Sequence, residues 1–249
     1  MSGHSKWSTI KHKKAALDAK RGKVFTRVIK ELTVAARVGG GDPDGNPRLR
    51  SAIAEAKAAN MPADNIKRAI MKGTGELPGV TYEDVVYEGY GPGGVAIYVE
   101  VLTDNKMRST PEIRHLFTKH GGDLGQPNSV SWMFEKKGQF AIPNGATSEE
   151  QLMDIVLDAG ADDIQSSDEA FEVTCSSGVF GDVQDALEKA NLAASQAKLV
   201  MIPTTVVDLD AKKAGQCLKL LEALEDHDDV QNVYANLSFD DDAVSEAAS

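Results

Sequence analysis

The sequence has few cysteines and no long apolar run. Cys175 and Cys217 are its only cysteines, and neither stands in a CxxC or Cys/His pattern of the kind that binds zinc or exchanges disulfides. We expect both to be buried, inert thiols. No segment approaches the roughly 18 to 20 consecutive apolar residues of a membrane helix, and residues 1–6 lack the apolar segment of a signal peptide. These absences predict a cytoplasmic protein without membrane contact.

The sequence also lacks the motifs of the common enzyme classes. Its five histidines show no HExxH or other metal-ligand spacing, and there is no GxSxG nucleophile elbow. The segment GYGPGG at 89–94 lacks the lysine of a phosphate-binding loop and joins two predicted strands, so we interpret it as a turn. The acid pair Asp228 and Asp229 is interpreted as a turn former as well. We therefore predict a non-enzymatic protein with no cofactor, no metal and no small-molecule substrate.

Charge is divided unevenly along the chain. The formal net charge is -11. Residues 1–75 nevertheless carry 16 Lys and Arg against 6 Asp and Glu, a net charge of +10, which leaves 11 against 32, or -21, for the remainder. Such asymmetry indicates a segment that faces a polyanion, while the acidic remainder discourages unspecific binding.

The first thirty residues are the most basic part of the sequence, with nine Lys and Arg and a single acid, Asp18. Clustered Lys and Arg attract phosphate backbones, and each neutralised phosphate releases counterions. Trp7 lies within this run, where it either stacks on a base or packs against the first helix. We predict that nucleic acid is bound here by Lys6, Trp7, Lys11, His12, Lys13, Lys14, Lys20, Arg21, Lys23, Arg27 and Lys30.

Helical periodicity predicts a small N-terminal domain. Apolar residues recur at helical spacing from Val24 onward and predict a helix over about 23–38 that ends at a run of glycines. Asn46 and Pro47 predict the N-cap and first residue of a second helix. A third helix is predicted to begin at Pro62 and to end before Gly73. Residues 1–75 are therefore predicted to form a basic, three-helix domain.

Beyond residue 80 the pattern becomes α+β. Alternating apolar residues on either side of the 89–94 turn predict a strand pair, and residues 130–134 are predicted as a further strand. Residues 139–202 follow the order βαββαβ of a ferredoxin-like unit, and a last helix and strand are expected to complete the sheet begun near residue 82. We predict an α+β multidomain fold, in which the N-terminal three-helix domain precedes two α/β domains, one of them ferredoxin-like and inserted into the other. The predicted bounds are 1–75 for the helical domain, 80–135 plus 205–240 for the α+β domain, 136–204 for the inserted domain and 241–249 for an acidic tail.

Two weaker basic features each have an ordinary alternative. The second and third helices resemble a helix-turn-helix in spacing, but Asp64 at the start of the third would repel phosphate, and plain bundle packing explains the same pattern. The acidic two-thirds of the chain contains a small basic island. It is either a second contact surface or a set of solvated helix charges paired to nearby acids. The residues of this second basic surface are Lys106, Arg108, Arg114 and Lys119.

Several motifs resemble those of a known family. They are GHSKW at 3–7, KHKKAALDAKRGKVFTRVIKEL at 11–32, GGGDPDGNPRLR at 39–50, YEGYGPGGVAIYVEVLTDNKMRS at 87–109, VSWMFEKKG at 130–138 and MIPTT at 201–205. Together they resemble the YebC family of probable transcriptional regulators, whose mitochondrial relatives act as translational activators for a cytochrome oxidase subunit. The resemblance implies a cytoplasmic three-domain α/β protein without cofactor, whose N-terminal domain contacts nucleic acid.

Three functional hypotheses remain open from the sequence. The family label favours duplex DNA binding at promoters. A lysine-rich arm bearing Trp7 favours binding to ribosomal or messenger RNA as a translation factor, with the acidic domains outside the RNA. A protein-binding adaptor that uses the acidic βαββαβ domain is the third. In each case we expect a monomer.

Overall fold

The computed structural model describes residues 19–167 and 170–239. In this range the elements, in chain order, are α1 (Ala19–Gly39), α2 (Pro47–Ala58), α3 (Ala63–Thr74), β1 (Glu83–Tyr90), β2 (Ala96–Thr103), α4 (Lys106–Lys119), β3 (Asp123–Leu124), β4 (Phe134–Pro143), α5 (Glu149–Asp158), β5 (Ala161–Ser166), β6 (Ala170–Ser176), α6 (Phe180–Lys189), β7 (Gln196–Pro203), β8 (Val207–Asp208), α7 (Ala211–Glu225), β9 (Val230–Ala235) and β10 (Leu237–Ser238).

The predicted fold class is confirmed, because a helical region precedes two sheet-containing regions. The chain divides into two compact units. One is Glu135–Ile202, and the other combines the chain before it with the chain after it. None of the helices between residues 19 and 239 that the structure describes is both long and apolar enough to cross a membrane.

The first unit begins with three packed helices. Asn46 caps α2 as predicted, because its side-chain oxygen accepts the backbone N–H of Leu49 at 3.1 Å. Its amide nitrogen donates to the carbonyl oxygen of Ala35 at 2.8 Å, which fixes the connection from α1. A Cβ at Gly73 would lie 2.3 Å from the carbonyl oxygen of Thr33, so a glycine is needed where α3 approaches α1.

These helices share one apolar core. Their inward faces repeat at three and four residues, and burying each large aliphatic side chain contributes about 1.5–3 kcal/mol relative to leaving it exposed. The buried side chains include Val28, Leu32, Leu49, Ala56 and Ile66. This small core positions the exposed faces of α2 and α3.

A four-stranded antiparallel sheet follows in the same unit. Its order is β3-β1-β2-β9, so the strand predicted near residue 230 pairs with the strand pair predicted near residue 82. β2 is buried along most of its length, whereas the first half of β1 is largely exposed. The core on the inward face combines strand residues with α4 and α7, and includes Ile97, Val99, Phe117, Leu220 and Leu224.

The second unit has the predicted ferredoxin-like topology. Its elements run β4, α5, β5, β6, α6, β7, and its sheet has the order β5-β6-β4-β7. Phe140 and Phe180 stack with ring centroids 4.7 Å apart in the core beneath the sheet. Its first strand, β4, begins at Phe134, earlier than the predicted start at residue 139.

The prediction of a strand over residues 130–134 is wrong. Residues Ser131–Met133 form a single 3-10 turn, and β4 begins only at Phe134. The physical reason is the buried carboxylate of Glu88, which accepts the backbone N–H groups of Val130 and Ser131 at 2.7 and 2.8 Å. Those N–H groups are therefore not available to a strand ladder. The turn predicted at GYGPGG is present as a 3-10 turn over Pro92–Gly94 between β1 and β2.

Candidate nucleic-acid interface

The residues predicted to bind nucleic acid fall into two groups in the structure. Lys20 and Arg21 lie in the first turn of α1, and Lys23, Arg27 and Lys30 follow on the same helix. The remaining predicted residues lie outside the described ranges, and these are Lys6, Trp7, Lys11, His12, Lys13 and Lys14.

Two of the α1 cations contact the end of α7. The ammonium of Lys23 lies 3.1 Å from a carboxylate oxygen of Asp226 and donates to the backbone carbonyl of the same residue. Arg27 donates to the backbone carbonyl of Glu225. Burial lowers the pKa of Arg27, while the neighbouring acids, Glu225 first among them, oppose this shift. Both side chains therefore hold the helical domain against the sheet domain.

Lys30 enters a buried polar cluster around Asp229. Its ammonium lies 2.6 Å from one carboxylate oxygen of Asp229, and both side chains are almost fully buried. The other carboxylate oxygen accepts from Arg108 at 2.7 Å, Ser109 at 2.7 Å and Thr103 at 3.1 Å. Asp229 is thus an ion-pair acceptor, and its interpretation as a turn former is incomplete.

Burial alone would raise the pKa of Asp229. The hydrogen bonds from Lys30, Arg108 and Ser109 outweigh that effect and hold the pKa of this carboxyl well below its ordinary value. A hydrogen bond to the same carboxylate raises the pKa of Arg108. The ammonium of Lys30 is directed into this cluster, and we leave Lys30 out of the candidate interface.

A second bridge joins the two domains of the first unit. The guanidinium of Arg48 binds Glu31 on α1 at 2.6 Å and Asp84 on β1 at 3.0 Å. Hydrogen bonding to Glu31 raises the pKa of Arg48, and bonding to Asp84 acts in the same direction. Arg37 donates to the carbonyl oxygen of Tyr82 at 3.2 Å. Basic residues of the helical domain thus supply much of its attachment to the sheet domain.

Four other cations of the helical domain face solvent. They lie on α2 and α3, and none of them makes an ion pair with another residue inside the described ranges. These cations are Lys57, Lys67, Arg68 and Lys72, and we call them the α2–α3 basic face. The sequence pointed to this segment only through a weak helix-turn-helix pattern, and it gave no indication of Lys57 and Lys72. The available signal was the helical phase, since these four positions lie between buried ones such as Ala56, Ile66 and Ala69.

The α2–α3 basic face borders an open groove. The residues that line the groove include the apolar Ile53, Ile66 and Ile70, the cations Lys57 and Lys67, and the acid Glu76. A phosphate backbone needs exposed positive charge, which this face supplies without having to break an existing ion pair. Asp64 lies in the first turn of α3, at the start of the helix as the sequence predicted, and it is exposed.

The residues predicted as a second basic surface all lie on α4. Lys106, Arg114 and Lys119 are exposed, and none has an ion-pair partner among the described side chains. Arg108 differs, because it binds Asp104 at 3.0 Å and Asp229 at 2.7 Å. All four predicted cations are therefore exposed, but Arg108 is committed to ion pairs within the protein.

The two cysteines lack the features of reactive thiols. Cys175 and Cys217 are both buried, as predicted. Burial raises the pKa of Cys175, and it raises that of Cys217 to about 12, so neither thiol is an activated nucleophile. Residues 19–167 and 170–239 contain no group of three or more His, Cys, Asp and Glu side chains that could hold a metal ion.

Comparison with known proteins covers nearly the whole chain. The description "TACO1/YebC protein N-terminal domain" matches residues 5–76, and "TACO1/YebC second and third domain" matches residues 82–237. A "probable transcriptional regulatory protein" of Acidobacterium capsulatum is 58% identical over 248 residues, which is 100% of each chain. A protein of the same description from Geobacter sulfurreducens is 58% identical over 236 residues, or 95% of each chain.

A solved structure has the same fold. The crystal structure of a "conserved hypothetical protein" from Aquifex aeolicus matches with a TM-score of 0.84 and 46% identity, covering 92% of this chain and 94% of that one. The resemblance seen in the sequence motifs is thereby confirmed. The chain belongs to the TACO1/YebC family, in which similar curated proteins are named as probable transcriptional regulators.

Proposed function

We propose that this protein is a cytoplasmic, non-enzymatic regulator of gene expression that binds nucleic acid through its N-terminal helical domain. The observation that carries the proposal is the α2–α3 basic face. Its four cations are exposed and make no ion pair within the described part of the chain, whereas Lys23, Lys30 and Arg48 are paired with acids of the same protein. The exposed, unpaired cations of this face are available to bind phosphates.

Duplex DNA is the first candidate partner, because similar proteins are named as probable transcriptional regulators. If DNA is the target, the protein should protect a defined sequence from cleavage. Its affinity for that sequence should exceed its affinity for unrelated duplex by about a thousandfold or more. Equal binding to every duplex would exclude promoter recognition.

RNA, on the ribosome or in a message, is the second candidate. The observation that favours it is the composition of α3, whose exposed side offers Lys67, Arg68 and Lys72 together with the acid Asp64. Such a surface can contact a backbone, and Asn65, the one Asn or Gln side chain on α3 that could pair with an adenine edge in the major groove, is half-buried. Shape and backbone recognition are typical of RNA-binding proteins.

Crosslinking in cells, followed by sequencing of both the DNA and the RNA that remain attached, tests the proposal. Enrichment of promoter DNA supports the first candidate, and enrichment of ribosomal or messenger RNA supports the second. Co-sedimentation with ribosomes that is lost on deletion of residues 1–22 would assign the RNA contact to the basic arm. Recovery of neither nucleic acid above the background of an uncrosslinked sample contradicts the proposal.

A further inference from the structure

The sheet domain carries an exposed tryptophan on a fixed turn. Trp132 lies in the 3-10 turn Ser131–Met133, and 69% of its surface is accessible to solvent. Its indole N–H donates to the backbone carbonyl of Ser129 at 3.1 Å. The hydroxyl of Tyr90 donates to the same carbonyl at 3.0 Å, so one oxygen atom anchors both aromatic side chains. We call Trp132 and Tyr90 the aromatic platform.

The turn beneath the aromatic platform is held by a buried carboxylate. Glu88 accepts the backbone N–H groups of Asn128, Val130 and Ser131 at 2.8, 2.7 and 2.8 Å. Hydrogen bonds to an ionised acceptor are among the stronger ones in proteins. Val130 is fully buried and anchors the same segment in the core. The backbone that carries Trp132 is therefore fixed before any ligand arrives.

Folding does not account for the position of this indole. A tryptophan usually stabilises a protein by burying its large ring, but most of this ring stays in water. The contacts of Glu88 and Val130 hold the turn, and the indole contributes the hydrogen bond from its N–H to Ser129. A rigid aromatic side chain that faces solvent is preorganised for a ligand, because little rotamer entropy is lost when the ligand binds.

We propose that the aromatic platform stacks one unpaired base of a single-stranded nucleic acid. This inference rests on the proposed function and adds a second contact, on the sheet domain, to the phosphate contact of the helical domain. A base presents a flat π-face that an indole can cover, and such stacking tolerates any base. Gln126 and Asn128 are exposed on the segment that leads into the turn and offer amide groups for the edge of a base.

The size of the platform favours a base over a protein partner. A stable protein interface buries about 800 Å² on each partner. One exposed indole with the edge of a phenol offers on the order of 200 Å². On the segment that leads into the turn, the exposed Gln126 and Asn128 are polar, and only the small ring of Pro127 between them adds apolar surface.

Fluorescence anisotropy with the full chain tests the inference. The probes are end-labelled oligomers of about 12 nucleotides, namely single-stranded DNA, single-stranded RNA and a duplex of each. Trp132→Ala should weaken binding of the single strands by roughly 5- to 100-fold, while the affinity for duplexes and the salt dependence stay unchanged. Trp132→Phe should recover part of the loss because it keeps an aromatic face. Val80→Ala, which shortens another exposed apolar side chain, is the matched control and should bind as the wild type.

The other outcomes distinguish a failure of this inference from a failure of the proposed function. If Trp132→Ala binds single strands as the wild type does, the inference fails, the proposed function stands and the platform is left to a protein partner. If Trp132→Ala weakens the binding of single strands and of duplexes equally, stacking on an unpaired base is excluded. If the wild-type protein binds none of the four probes in dilute salt, both proposals are overturned. A larger effect on RNA than on DNA identifies RNA as the source of the base.

Discussion

The ammonium of Lys30 lies 2.6 Å from a carboxylate oxygen of Asp229, and the two residues are 199 positions apart in the sequence. This ion pair joins α1 of the helical domain to the turn before β9 of the sheet domain. Its side chains are almost fully buried, so solvent screens it far less than a surface pair. Lys30, which the sequence predicted to bind nucleic acid, therefore contributes to the internal packing of the protein.

Removal of Lys30 should destabilise the first unit. Lys30→Met keeps most of the side-chain volume but leaves the buried carboxylate of Asp229 with Arg108 as its one ion-pair partner among the described residues. Breaking a buried pair on one side costs about 3 kcal/mol. Urea unfolding followed by circular dichroism should show a lower midpoint. The matched variant Lys67→Met, at an exposed position, should change the free energy of unfolding by less than about 0.5 kcal/mol, and an equal loss in both variants would contradict the structural role of Lys30.

Stability should depend on Asp229 in acid. Its pKa in the folded protein is depressed, whereas an Asp in an unfolded chain titrates near pH 3.9. The unfolded state therefore binds the proton first as the pH falls, and the contribution of Asp229 is present above about pH 4 and is lost below it. Asp229→Asn cannot titrate. The difference in urea midpoint between wild type and this variant should narrow from about pH 5 to about pH 2, and a constant difference over that range would refute the assignment.

The helices and strands were largely predictable from the sequence, but the pairing of charges was not. Apolar periodicity predicted α1, and the Asn46-Pro47 cap predicted the start of α2. Arg27 and Lys30 precede the buried Val34 by seven and four residues, so the three share one face of α1. This spacing was a signal that α1 has a second buried face besides the one in the helical core. The acids that cover this face lie in another domain about 200 residues along the chain. No local pattern connects such distant partners.

Candidate interface residues were predictable only in part. The excess of positive charge in residues 1–75 was visible, but the count could not separate exposed cations from paired ones. Lys57 and Lys72 became candidates through their exposure, and Lys30 was removed through its burial. Trp132 stood in a segment predicted as a strand. Its place on a turn depends on Glu88, more than 40 residues earlier, whose side chain takes the backbone N–H groups of that segment.

The turn that carries Trp132 should loosen when Glu88 loses its charge. Glu88→Gln replaces one acceptor oxygen with an N–H₂ group that faces backbone donors. Each hydrogen bond to a charged group contributes about 1.5–3 kcal/mol, so the local structure should open more often. Hydrogen exchange should show faster exchange of the amides of Asn128, Val130 and Ser131. Glu83→Gln, at an exposed position on the same strand, is the control and should leave these rates unchanged; unchanged rates in Glu88→Gln as well would argue against the anchoring role.

The central claim is that exposed cations of the helical domain bind phosphates, and the salt dependence of binding tests it most directly. The affinity of the full chain for DNA and RNA oligomers is measured between about 50 and about 200 mM salt. The test variant carries alanine at Lys57, Lys67, Arg68 and Lys72. The control variant carries alanine at four exposed lysines outside the helical domain, Lys189, Lys212, Lys213 and Lys219.

The slope of log affinity against log salt should fall by up to about four units in the test variant and should stay unchanged in the control variant. A variant with alanine at Lys11, Lys13 and Lys14 should lose up to about three units if the basic arm also contacts phosphates. Equal slopes in wild type, test and control proteins, or no binding of either nucleic acid in dilute salt, would contradict the account.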